Sequence, residues 1–233
     1  MASTRFPGKP LAPIAGKPML AHVWKAVAIR SKLIEPCYVA TADREIITWC
    51  EFLGVKCLVT RADCQSGTER CHDAMRQLKN LPGDIVVNIQ GDEPTIRGES
   101  LDELVRAFED PEVEIASLCF APTGPEFMEN QDRVKVLIGG NGDALGFFRS
   151  VHSAHLWRSY RQHVGVYAYR REVLAEIAGL VPPGDLEQEA WMAAGHRVRM
   201  VETPYRTASV DSPNDIEKVE IALRARAGTM MVV

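Results

Sequence analysis

The sequence predicts an α/β fold, and three observations carry that expectation. Short apolar runs bounded by turn residues alternate with amphipathic stretches of helical period. The strongest run, residues 84–90, is almost continuously apolar, as a strand buried on both faces of a sheet is. Finally, 233 residues of which 46% are hydrophobic suit a single large domain.

The elements follow in order. Residues 18–29 read as a helix after a Gly-Lys-Pro start, and 36–40 as a short strand. A helix over 43–53 stops at Gly54, which tolerates the left-handed backbone of a helix end. A strand over 56–60 and a loop over 61–66 lead into a helix reaching Leu78. After the strand at 84–90 come a helix over 99–108 and a strand over 115–120. Residues 134–138 and 144–148 flank Gly139-Gly-Asn-Gly-Asp143 and predict a hairpin. An alternating strand at 163–169, a helix at 185–194 and a strand at 197–202 follow. Ser212-Pro-Asn-Asp then starts a capped final helix. With no internal repeat and no low-complexity linker, the pattern predicts one domain over 1–233, doubly wound, with a β-rich insertion at roughly 120–170.

Composition removes several function classes. A net charge of -4 provides no basic field for a nucleic acid backbone. No apolar run approaches the ~20 residues of a membrane helix. The polar, Gly/Pro-punctuated opening is no secretory signal, so a cytoplasmic location is expected. The six cysteines (37, 50, 57, 64, 71, 119) form no CxxC and read as reduced structural thiols.

Three segments carry candidate chemistry. In Ser3-Thr-Arg-Phe-Pro-Gly-Lys-Pro-Leu11, Gly8 permits close backbone approach while Arg5 and Lys9 supply two cations, a combination suited to a phosphorylated ligand. Asn88-Ile-Gln-Gly-Asp-Glu-Pro94 sits at the carboxyl end of the strongest strand, where open sheets bind ligands. There Asp92 and Glu93 present hard oxygens suited to Mg²⁺. In Ser209-Val-Asp-Ser-Pro-Asn-Asp215, Asp211 stands just before a helix start, as its N-cap or, with Ser212 available to cap, as a second metal ligand. A Mg²⁺-nucleotide enzyme is the expectation; the absence of GxGxxG after a strand disfavours a dehydrogenase.

STRFPGKPL, GKPM, VATAD, TRADCQSGTER, VNIQGDEP, HVGVYAYR and VDSPNDIE, in that order, resemble the 3-deoxy-manno-octulosonate cytidylyltransferases (CMP-Kdo synthetases) over nearly the whole chain. QGDEP together with QSGTER is specific to that family, whereas PGKPL alone marks the wider nucleotidyltransferase group. The resemblance implies a Rossmann-like mixed, mostly parallel sheet with helices on both faces and a small β-rich dimerisation insertion. It implies transfer of CMP from CTP to a sugar acid for lipopolysaccharide-type glycan synthesis, with pyrophosphate released, in a homodimer using Mg²⁺.

Residue by residue, Ser3, Thr4, Arg5 and Lys9 match those that hold the CTP phosphates, and Ser66, Gly67 and Thr68 the cytosine and ribose segment. Asp92 and Asp211 match the Mg²⁺-binding aspartates; with Arg5 and Lys9 they form the implied catalytic set. Gln90, Arg149, His163, Tyr167, Glu187 and Gln188 match the acid-substrate side.

Two departures stand out. The family begins with an apolar strand and a Pro-Ala-Arg turn before the segment that opens this chain, so two sheet edges are expected to be exposed. Met230 to Val233 is an apolar run that could pair in that slot. The segment over 181–190 is also shorter than usual, and Ala190 stands where the family has arginine, a natural carboxylate partner. A different acid, 8-amino-Kdo or phosphonoformate, and a non-catalytic nucleotide-binding homologue are therefore the alternatives.

Overall fold

A computed structural model describes residues 6–79 and 83–228, the last three of these by their backbone alone. The expected pairing of residues 229–233 lies outside the described residues.

The chain opens with a two-residue hairpin, β1 (Pro13–Ile14) and β2 (Lys17–Pro18), and then α1 (Met19–Lys25), which continues as a π-helical turn to Arg30. β3 (Val39–Thr41) leads into α2 (Arg44–Leu53), where the Asp43 carboxylate accepts the Glu45 N–H at 2.9 Å and Gly54 ends the helix at φ 67°. β4 (Cys57–Val59) pairs parallel with β3. α3 (Gly67–Met75) starts at Ser66, whose hydroxyl accepts the Glu69 N–H at 3.0 Å. β5 (Ile85–Ile89), α4 (Gly98–Arg106) and the wholly buried β6 (Ile115–Phe120) follow.

Between β6 and β9 the chain makes the predicted hairpin, β7 (Lys135–Ile138) and β8 (Ala144–Phe148). β9 (Tyr160–Arg170) is longer than its alternating core suggested. α5 (Arg171–Ile177), α6 (Glu187–Ala193), β10 (Val198–Glu202) and α7 (Asp215–Gly228) complete the order. α5 is not among the elements predicted above, although its buried Val173, Leu174 and Ile177 have helical spacing.

β9 organises the six-stranded sheet. One edge pairs with β6 throughout, and β10 lies parallel to β6 beyond it. The other edge pairs first with β7 and then with β5, all antiparallel. β5, β6, β7 and β10 therefore run one way and β8 and β9 the other, a mixed sheet with most strands in one sense. One face is covered by Leu174, Leu186 and Trp191 from α5, α6 and the residue before α6; the other by Leu101 and Leu104 of α4 with Ala26 and Val27. Apolar side chains thus leave water on both faces, which drives the layered packing.

The pairings of β3 and β5 among the described residues are these. β3 pairs only with β4, and β5 only with β9. Both strands line a cavity of about 1080 Å³ that also reaches Lys9, Ser66, Gly67, Asp92 and Asp211.

A register shift between Ser117 and Leu118 bends the β6–β9 ladder where β9 exchanges β7 for β5. Such a bulge re-aims side chains. Here it turns Ser117 beneath His163 and brings Gly165 against Gln90, 3.6 Å from where a Cβ would stand to Gln90 Cγ.

Candidate active site

Three distant segments meet just beyond the end of β5. Lys9 Nζ donates to Asp92 Oδ2 at 2.7 Å and to the Val210 carbonyl at 2.8 Å. The Val210 N–H donates to the Asp92 carbonyl at 3.0 Å, so the backbone itself fastens the two acidic loops together. Asp211 is pushed above the usual carboxylate range by burial and then by the Asp92 charge, while Lys9 pulls it down. Two carboxylates and one ammonium thus share a small, partly dry volume, where electrostatic interactions are stronger than in water.

Asp211 is left available by its neighbour. Asp215 Oδ2 accepts the Asp211 and Ser212 N–H groups and the Ser212 hydroxyl, so Asp215 ties the turn. Ser212 therefore donates to that aspartate; it is not the acceptor cap that the sequence suggested.

Glu93 follows Asp92 in sequence but turns inward, at 6% exposure. Burial and then the Asp92 charge raise it to about 8, although Thr207 and the Gly165 backbone lie in hydrogen-bonding reach. It is not an open hard-oxygen ligand, which corrects the pairing of Asp92 with Glu93. Among the described residues no cluster of three or more His, Cys, Asp or Glu side chains is arranged to hold a metal. Two carboxylates opening onto a cavity nonetheless suit Mg²⁺, which typically takes one or two protein carboxylates and completes its shell with phosphate oxygens and water.

The QSGTER segment lies beside this cluster. Ser66 caps α3, and Gly67 faces Gln90 so closely that a Cβ would meet Gln90 Nε2 at 2.3 Å. Glycine is therefore needed to seat the amide of Gln90. Gly67→Ala is expected to displace that amide and raise the KM for the acid substrate about 10-fold, with the melting temperature little changed because a flexible side-chain end gives way. Steady-state kinetics check this; an unaltered KM would show that Gln90 is not on the acid. Thr68 is turned away from the cavity: it is 1% exposed and its hydroxyl lies 3.1 Å from the Tyr169 hydroxyl.

The implied acid-binding residues form a wall on β9 and α6. The Tyr167 hydroxyl accepts from Gln188 Nε2, and its ring meets Trp191 edge-on at 5.1 Å. Tyr167 is raised well above the usual phenol value by burial and then by the Glu187 charge, so it remains a neutral hydroxyl. Arg149 donates to Asp185 at 3.0 Å, and its charge reaches both Tyr167 and His163. His163 Nε2 sits 2.8 Å from Ser117 Oγ.

Burial, reinforced by Arg149, depresses His163 to about 3. Between its ordinary value of ~6.5 and 3 the unfolded chain binds the proton and the fold does not. Stability from this residue is therefore complete above ~6.5 and lost as the pH falls through that window, at up to ~1.4 kcal/mol per pH unit. His163→Phe should flatten this part of the pH dependence in urea unfolding between pH 4 and 7; a profile parallel to wild type would show a charged imidazole in the fold.

Ser3, Thr4 and Arg5 lie outside the described residues. Of the others, the fold brings Lys9, Asp92 and Asp211 together, sets Ser66, Gly67 and Gln90 along the same cavity, and places Arg149, His163, Tyr167, Glu187 and Gln188 on the adjoining wall. Lys135 escaped the sequence reading. Fully buried, its ammonium donates to the Asn130, Arg133 and Arg149 carbonyls and so fixes the backbone of Arg149; burial lowers it to about 8. Ser117, the partner of His163, also had no sequence signal, because only the bulge aims it there.

A mixed α/β sheet with a lysine and two aspartates converging at the carboxyl end of a strand suits nucleotidyl transfer. The family model for cytidylyltransferase matches residues 1–200. The chain is 37% identical to the 3-deoxy-manno-octulosonate cytidylyltransferase of Phocaeicola vulgatus, over 97% of this chain and 95% of that one. It is 40% identical to the enzyme of that name from Nitratidesulfovibrio vulgaris (strain DP4), over 97% and 94%. A solved structure of CMP:2-keto-3-deoxy-manno-octonic acid synthetase complexed with CTP superimposes with TM-score 0.84 at 37% identity, covering 97% of this chain and 95% of that one. The inositol-1-phosphate CTP transferase from T. maritima shares the fold, with TM-score 0.69 at 14% identity, covering 100% of this chain and 95% of that one. The chain belongs to the 3-deoxy-manno-octulosonate cytidylyltransferase family of cytidylyltransferases.

Proposed function

We propose that the protein transfers CMP from CTP to 3-deoxy-manno-octulosonate (Kdo), giving CMP-Kdo and pyrophosphate, as a step toward lipopolysaccharide-type glycans. The observation that carries this reading is the convergence of Lys9, Asp92 and Asp211 on one cavity in a chain of this family.

A hydroxyl of the acid attacks the α-phosphorus of CTP, and the bond to pyrophosphate breaks. Negative charge spreads over the transferring group, so positioning and cationic stabilisation supply most of the acceleration. Asp92 and Asp211 would hold Mg²⁺, which supplies Lewis-acid polarisation of the phosphate and favours loss of the hydroxyl proton. Lys9, placed at the carboxylate pair, neutralises charge on the departing pyrophosphate. Gln90, the Tyr167 hydroxyl and Arg149 orient the acid, the charge of Arg149 reaching both Tyr167 and His163. Glu187 and Gln188 frame its far side.

Ala190 bears on which acid is used. It is buried in one core cluster with Leu186 and Trp191, so the shortened segment is packed around a small side chain. That supports retention of the family's acid. Cytidylyl transfer to Kdo, 8-amino-Kdo and phosphonoformate, with the CMP adduct identified by mass spectrometry, tests the assignment. Kdo is expected to have the highest kcat/KM; turnover of phosphonoformate without Kdo would overturn it.

A homodimer belongs to the same reading, supported by exposed Leu145, Phe148 and Leu156 on β8 and the turn before β9. A cytoplasmic setting is supported by six free thiols. No helix among the described residues is long and apolar enough to cross a membrane.

A further inference from the structure

Lys135 opens β7, a strand whose other residues are apolar, and exposes none of its surface. Its ammonium donates to the Asn130 carbonyl and, at 2.7 Å each, to the Arg133 and Arg149 carbonyls. The Phe127 ring lies 5.7 Å from it. Burying an ammonium is costly unless its protons are bonded, and lysine aims three donors from a single atom. The carbonyls it gathers belong to two separate places: the turn over 130–133, before β7, and the residue that follows β8.

Arg149 is held at both ends by this arrangement. Its carbonyl accepts from Lys135, while its guanidinium donates to the Gln131 carbonyl at 3.4 Å, within the same turn. That turn is closed by the Arg133 N–H on the Asn130 carbonyl at 3.1 Å, and Lys135 bonds both of those residues. The ammonium therefore sets where Gln131 stands as well as where Arg149 leaves β8. Asp185 accepts from Arg149 Nε at 3.0 Å, and the arginine side chain keeps 38% of its surface exposed. A guanidinium has N–H groups to spare beyond these two contacts, in the planar fork that matches a carboxylate.

We propose that Lys135 is a positioning residue for the acid substrate: it holds the backbone and the guanidinium of Arg149 in the geometry that receives the substrate's carboxylate. Lys135 itself touches no substrate and acts through Arg149. An apolar side chain would fill this place without the cost of a buried charge, so packing alone gives no reason for a lysine. The inference rests on the reading of Arg149 as an acid-binding residue.

The test is Lys135→Met, which keeps an unbranched side chain and removes every donor. The KM for Kdo is expected to rise about 10-fold, with the KM for CTP within twofold. The melting temperature falls because buried carbonyls lose their donor, so the split between the two KM values decides. A double-mutant cycle then asks whether Lys135 acts through Arg149. Arg149→Met alone should raise the KM for Kdo, and adding Lys135→Met to it should raise that KM by less than twofold more. A further 10-fold rise in the double variant would overturn the proposal, as would both KM values moving together or an unmoved KM for Kdo. If Lys135→Met does not fold, Lys135→Gln, which retains two N–H donors, is measured in its place; failure of both to fold would assign Lys135 to the fold alone and overturn the proposal. Wild-type turnover separates this inference from the reading beneath it. Normal transfer of CMP to Kdo with an unmoved KM in Lys135→Met fails only the inference, whereas no transfer by the wild type fails both.

Discussion

Asp92→Asn should lower kcat/KM by about 10³-fold or more, a loss of ~4 kcal/mol of transition-state stabilisation. The substitution keeps size and hydrogen-bonding capacity but removes one of the two charges that converge with Lys9. It relieves the repulsion that raises Asp211 and Glu93 while weakening the Lys9 ion pair, two opposed effects that should leave the melting temperature little changed. Loss of activity without loss of melting temperature separates a catalytic from a structural effect. Near-normal turnover would overturn the proposal that Asp92 holds Mg²⁺.

Trp191→Ala should produce the largest loss of stability. The indole is 1% exposed and packs edge-on against both Tyr167, at 5.1 Å, and Tyr169, at 5.8 Å. Truncating a buried tryptophan leaves a cavity and removes aromatic contacts, at ~3–5 kcal/mol. For a chain of this size that corresponds to a melting temperature lower by roughly 10 °C. Because the same indole backs Tyr167, the KM for the acid should rise more than that for CTP. Urea unfolding with an unchanged m-value measures the first effect and kinetics the second. A loss below ~1 kcal/mol would mean that the wall is supported elsewhere.

Much of this site was legible in the sequence because its chemistry sits at strand ends and helix starts. Asp92 follows the most apolar strand after a glycine, Asp211 precedes the last helix, and Lys9 lies in a Gly/Pro loop; such positions announce themselves by punctuation. What remained hidden depends on long-range register. Nothing local distinguishes Asp92, which pairs with Lys9, from Glu93, which turns into the core. The direction of β9 is set by its partners β5 and β6, and its alternation alone could not reveal it. Ser117 reaches His163 only through the bulge, and Thr68, read with its neighbours as one binding segment, is claimed by the Tyr169 hydroxyl. Ala190 read as a lost pocket residue, yet its side chain belongs to the core.

Mg²⁺-dependent transfer of CMP to a sugar acid at the Lys9, Asp92 and Asp211 cluster is tested most directly by the initial rate of pyrophosphate release from CTP, with Kdo and Mg²⁺ each present or omitted. Release only when all three are present, with one CMP-Kdo formed per pyrophosphate, is the predicted result. Release at the same rate without Kdo, or none with the complete mixture, would contradict it.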